Sequence, residues 1–176
     1  MKLNKCVIIT GACGGIGRAL VAAYSRDGYR VLATDTKPPL QEFQHVEFYQ
    51  IDLRQTVLDS AFRDKTLGAI RASIGGDTLF ALINNAAEQI VKPIEEVNLE
   101  DWNSVLSVNL LAPFFWTQYF LDLLEVTHGS VLNISSIHAR QTKKNFSVYA
   151  TSKAALSGLT RLLSIELGDR VRVNAI

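Results

Sequence analysis

Four glycines, Gly11, Gly14, Gly15 and Gly17, fall between a short apolar run and an amphipathic one, and they limit what this chain can fold into. Cys6 to Thr10 (CVIIT) is a short apolar run of the kind a parallel strand covered on both faces requires. After the glycines, Ala19, Leu20, Ala22, Ala23 and Tyr24 recur at helical spacing, and Asp27-Gly28 ends that helix. Glycine lets the backbone turn tightly and approach a ligand with no Cβ in the way. The helix start then offers unpaired N–H groups and a partial positive charge, which suit a pyrophosphate. A second apolar run, Val31-Leu-Ala, closes on Asp35, whose carboxylate can accept hydrogen bonds from an adenosine ribose. A glycine cluster alone is as readily an ordinary turn. Strand before, helix after and acid at this distance make it a dinucleotide site.

Length and charge fit a compact enzyme. The 176 residues amount to one domain with a sizeable core, and 48% of them are hydrophobic. Eighteen basic side chains against 17 acidic ones leave no basic footprint for nucleic acid or a membrane surface. Cys6 and Cys13 sit in a strand and a glycine turn, so reduced thiols are expected rather than a disulfide scaffold. The first apolar run is too short for a signal peptide and no stretch reaches membrane-spanning length, which points to the cytoplasm. No metal site is read from the sequence.

Further along, Thr36 to Gln44 reads as a loop through Pro38-Pro39, and Val46 to Ile51 as a third strand. Arg54 to about Ile74 has helical spacing, weakened by Gly68. Leu79 to Ile83 is a fourth strand, followed by Asn84-Asn85-Ala86-Ala87. Asn98 caps a long helix running to about Leu124. Ser130 to Ile134 is a fifth strand, Ser147 to Gly168 a helix, and Arg170 to Ile176 a sixth strand. Strands alternating with helices predict an α/β fold with a doubly wound parallel sheet, its ligand at the strands' carboxyl ends.

Tyr149 and Lys153 are four apart on one predicted helix and share a face. Chance gives such a pair in about one chain in five of this composition, and a solvated helix face is its ordinary meaning. The chemistry is nonetheless apt. A phenol with a pKa of about 10 is drawn toward phenolate by a nearby ammonium, and becomes a proton donor and acceptor near neutral pH. Ser136, at the end of the fifth strand, can hold a reacting oxygen without ionising; otherwise Ser135-Ser136 is turn chemistry.

Five motifs, TGACGGIG (10–17), NNAA (84–87), SVNL (107–110), NISS (133–136) and YATSK (149–153), together resemble the short-chain dehydrogenase/reductase family in order and span nearly the whole chain. The resemblance implies a Rossmann fold of three αβα layers with strand order 3-2-1-4-5-6, and an oxidoreductase moving hydride between a nicotinamide and an alcohol or carbonyl carbon. Tyr149 would be the acid/base, Lys153 the residue that lowers its pKa and holds the nicotinamide ribose, and Ser136 the catalytic serine, with Ser135 structural. Asn109 would hold a relay water. Independently of the resemblance, Pro113 lacks the N–H that would occupy the Asn109 carbonyl in a regular helix. Cofactor contacts are implied at Thr10, Gly11, Gly15, Ile16, Gly17, Asp35, Asp52, Leu53, Asn85, Ala86, Tyr149 and Lys153. Asp35 favours NAD over NADP, since it repels a 2′-phosphate. Members of the family commonly associate through the helices corresponding to 99–124 and 147–168, so a homodimer or homotetramer is expected.

Two departures stand out. Ala87 replaces a usual glycine, and the family's domain continues past VNAI with a substrate lid and a seventh strand. The expectation is a C-terminally incomplete domain over 1–176 that binds NAD but turns over poorly; a catalytically incompetent nucleotide-binding chain is the alternative. His138 reads as polar lining rather than as a base, Lys143-Lys144 as an exposed pair, and the aromatic residues of the long helix as core and partner surface.

Overall fold

The computed structural model describes residues 5–39 and 44–176. Six strands form one wholly parallel sheet: β1 (Lys5–Thr10), β2 (Arg30–Asp35), β3 (Val46–Gln50), β4 (Thr78–Asn84), β5 (Ser130–Asn133) and β6 (Arg172–Ala175). Their order is β3-β2-β1-β4-β5-β6, so the winding reverses between β1 and β4 and opens a crevice at their carboxyl ends. The helices are α1 (Gly15–Arg26), α2 (Leu53–Leu58), α3 (Ser60–Ile74), α4 (Leu99–Leu106), α5 (Ala112–Val126) and α6 (Ser147–Glu166).

Alternation along the strands builds the layers. On one face, Cys6, Ile8 and Leu32 pack with Leu67 and Ile70 of α3, Trp116 and Phe120 of α5, and Leu163 of α6. On the other, Val7, Ile9, Val31 and Ala33 pack with Val21 of α1. The β1–β4 register slips by one at Phe80: Cys6 pairs with Leu79 but Val7 with Ala81. That bulge puts Leu79 and Leu82, three apart, into the same core. On the α1 face, Phe80 of β4, Leu132 of β5 and Ile134 just past it are only partly buried.

Two expected helices are divided. The 54–74 segment breaks at Asp59, whose extended backbone (φ −124°, ψ 107°) lets its carboxylate accept from Phe62 N at 2.9 Å and cap α3. Gly68 stays inside α3, where the buried Leu67 and Ile70 beside it outweigh a glycine's cost of about 1 kcal/mol. After the Asn98 capping box, the long helix passes through a π turn, Ser107–Leu111, before α5. The third strand stops at Gln50, the fifth at Asn133 and α6 at Glu166, and the sixth strand spans only Arg172–Ala175. Residues 40–43 of the expected 36–44 loop lie outside the described residues. Among the described residues, no helix is long and apolar enough to cross a membrane.

Candidate active site

The glycine turn is held by contacts that only glycine permits. Gly11 has φ +66°, and a Cβ there would lie 2.6 Å from the Ala86 Cα. A Cβ on Gly17 would lie 2.0 Å from the Gly11 carbonyl oxygen, so helix and turn interlock at that point. Gly15 differs: a Cβ there would meet nothing within 4 Å, since it faces open space. Gly14 caps α1 without a side-chain acceptor, and no acid occupies the first turn. The first N–H groups of α1 are therefore left for an anion. This cradle fits a dinucleotide's pyrophosphate.

Asp35 ends β2 with its carboxylate already oriented. Oδ2 accepts from Cys13 N at 2.9 Å and Oδ1 from Lys37 N at 3.1 Å. A carboxylate accepts about four hydrogen bonds, so capacity remains for a ribose hydroxyl. Asp52 caps α2 by accepting from Arg54 N at 2.9 Å, and Leu53 beside it is buried. Gly11, Gly15, Ile16, Gly17, Asp35, Asp52, Leu53, Asn85, Ala86 and Tyr149 line one cleft of about 810 Å³.

Thr10 lies behind that cleft rather than in it. It is buried, and its hydroxyl accepts from Asn85 N and Ala86 N, each at 3.1 Å. The Asn85 amide donates in return to the Thr10 and Gly11 carbonyls, each at 2.9 Å. The pair pins the end of β4 to the glycine turn, a bracing contact that the motif's letters do not reveal. The cleft is also lined by Thr34, Thr36, Glu88, Gln89 and Val108, which sequence reasoning did not single out. They come from the end of β2 and the turn after it, the loop after β4 and the π turn, and carry no shared spacing.

The second half of the site is built around α6. Tyr149 is partly exposed on the cleft wall, and the Lys153 Nζ lies 5.8 Å from its ring centroid. Lys153 is 2% exposed and donates to the Ile134 carbonyl at 2.7 Å. Burial pushes its pKa down from 10.5 to about 8. The two serines are distinguished by direction: the Ser135 hydroxyl meets Ser157 at 2.9 Å, whereas the Ser136 hydroxyl accepts from His138 N at 3.1 Å. The β5–β6 ladder continues beside them, with Ser135 N donating to the Ile176 carbonyl at 2.7 Å.

Asn109 is fully buried in the π turn. Its side-chain oxygen accepts from Glu88 N at 2.8 Å, and its amide donates to Glu88 O and Ser152 Oγ, each at 2.9 Å. The side chain thus ties the loop after β4 to α6. Ala112 N reaches back five residues to Ser107 O, and Pro113 has no N–H for Asn109.

Residues 5–176 match the short chain dehydrogenase family. The chain belongs to that family. It is 37% identical over 188 residues to a "probable galactose dehydrogenase" of Rhizobium meliloti, covering 98% of this chain and 70% of that protein. It is 32% identical to a "probable 2,4-dienoyl-CoA reductase" of Bacillus subtilis, over 98% of this chain and 71% of the relative. Among solved structures, a short chain dehydrogenase from Leptospira borgpetersenii with bound NAD+ superposes with a TM-score of 0.85 at 28% identity, over 97% of this chain and 69% of that one.

Proposed function

We propose that this short chain dehydrogenase moves hydride between a nicotinamide and an alcohol or carbonyl carbon, with Tyr149 as the acid/base and NAD as the preferred cofactor. The observation that carries this reading is the buried Lys153 ammonium beside Tyr149 at the cleft wall, using one of its three donors among the described residues. A nicotinamide, when bound, would supply the two-electron acceptor for hydride. In the oxidation direction, the Tyr149 phenolate takes the alcohol proton as the C–H electrons leave with hydride. Ser136 donates its hydroxyl hydrogen to the same oxygen and keeps it in place. Lys153 stabilises the phenolate and offers its remaining donors to the nicotinamide ribose. The Asn109 carbonyl holds a water through which the proton returns to solvent.

Asp35 supports NAD over NADP, because a 2′-phosphate would meet its carboxylate. Exposed Leu111, Leu162 and Ile165 on the π turn and α6 support a homodimer or homotetramer through these helices. A second reading, a chain that binds NAD with little turnover, is favoured by the incomplete burial of Leu132 and Ile134 at the strand end that leads to Ser136. Following NADH absorbance on a panel of alcohols and ketones tests the first reading, with NADH fluorescence alongside as the measure of binding. NAD-dependent turnover that is lost in Tyr149→Phe is the expected result. Tight NADH binding without turnover on any substrate selects the second.

A further inference from the structure

The ring of His138 is held more firmly than a solvated loop histidine needs. It stacks on Phe146 with centroids 4.4 Å apart and planes 3° from parallel, and meets the Tyr149 ring edge-on at 5.8 Å. Nδ1 lies 2.9 Å from the Thr142 hydroxyl, and the backbone N–H donates to the Ser136 hydroxyl at 3.1 Å. Stacking fixes the plane of the ring and the Thr142 contact fixes its rotation within that plane. The direction of Nε2 is thereby set, and among the described residues Nε2 has no hydrogen-bond partner. Phe146 is buried, so the stack has a rigid floor. A fixed ring with a free nitrogen is thus held beside both the serine, through its own backbone, and the tyrosine ring that the proposed function places on the reacting oxygen.

We infer that His138 is a specificity-determining residue whose Nε2 hydrogen-bonds an oxygen on the carbon next to the reacting one, which selects vicinal diols and α-hydroxy ketones over plain alcohols and ketones. The inference rests on the proposed function for the location of the reacting oxygen. A hydroxyl both donates and accepts, so it suits Nε2 in either imidazole tautomer. A substrate lacking that oxygen would leave a desolvated nitrogen unpaired, and sites built to bond a hydroxyl discriminate strongly against analogues without one. General-base work is not required of His138, because Tyr149 already holds that place.

Two matched pairs test this. Turnover of 2,3-butanediol and 2-butanol with NAD+ is measured by NADH absorbance. Binding of acetoin and 2-butanone to the NADH complex is measured by calorimetry in a Tyr149→Phe background, where nothing reacts. Roughly a tenfold to hundredfold preference for the oxygen-bearing member is expected in both assays. His138→Leu should bring both ratios close to one, and His138→Gln, which keeps a hydrogen-bonding group, should restore much of them. No preference in the native chain overturns the inference, as does a His138→Leu variant that weakens both members of a pair equally, the mark of a purely structural role. The binding pair reports on His138 even if the native chain shows no turnover or if Tyr149→Phe proves active, either of which defeats the proposed function alone. Failure of NADH to bind at all defeats both.

Discussion

The two halves of the cleft are made of different material. The cofactor half, from β1 through α1 to the end of β2, is built from backbone: glycines in contact with carbonyl and Cα atoms, free N–H groups at a helix start, and a carboxylate held by two amides. The α6 half is built from side chains: a buried lysine, a partly exposed phenol, and a serine aligned by a short turn. A backbone site is rigid because its parts are the fold itself, so damage there costs stability as well as binding. A side-chain site can lose its chemistry while the fold stays intact. The lysine even opposes the fold, since its burial disfavours the charged form that the proposed chemistry calls for.

Substitutions at each half can sharpen or break that contrast. Largest is Tyr149→Phe, which should lower kcat by about 10³-fold, near 4 kcal/mol, with NADH affinity and melting temperature nearly unchanged. A rate within tenfold of native would end the assignment of Tyr149. Next, Gly17→Ala should destabilise by about 3 kcal/mol, because its Cβ falls 2.0 Å from a backbone oxygen that cannot yield. Gly15→Ala should leave thermal stability unchanged or slightly raised yet weaken NADH binding, since its Cβ would point into the cleft. If both alanines alter stability and binding alike, the distinction between interlock and cradle is lost.

Smaller is the Lys153 effect on stability, whose sign follows from its lowered pKa. Unfolded, the lysine titrates near 10.4; folded, near 8. Between those values the unfolded chain binds more protons, so stability rises with pH across the window, while below about 8 the full penalty applies. Native protein should therefore gain on the order of 2 kcal/mol relative to Lys153→Met between pH 7.5 and 10. Urea unfolding of both at the two pH values measures it, and parallel pH profiles would count against a buried ammonium. Smallest is Asp35→Ala, which should narrow the NAD-over-NADP affinity ratio by about tenfold, near 1.4 kcal/mol. A ratio that does not move would free Asp35 from any part in cofactor choice.

Much of this was legible in the residues themselves. The parallel, doubly wound sheet follows from short apolar runs alternating with amphipathic ones, because burial of both sheet faces leaves no other pattern. The glycine turn, Asp35 and the Tyr149–Lys153 pair are local, with spacings of one turn or one βαβ unit, and periodicity carries such spacings faithfully. Pro113 also announced a break in helix hydrogen bonding beside Asn109. What the tertiary structure alone decided is long-range or directional. Thr10 braces Asn85, some 75 residues away, instead of facing the cleft, because the winding reversal brings β1 and β4 together. Asp59 divides a helix because its carboxylate caps the following one, and the π turn is a choice of hydrogen-bond partner that no side-chain period records. His138 looked like one loop histidine among polar residues until Phe146, eight positions on, lay flat against it. Sequence spacing reports which face of an element a residue occupies; which way its polar atoms point is settled only by what packs against them.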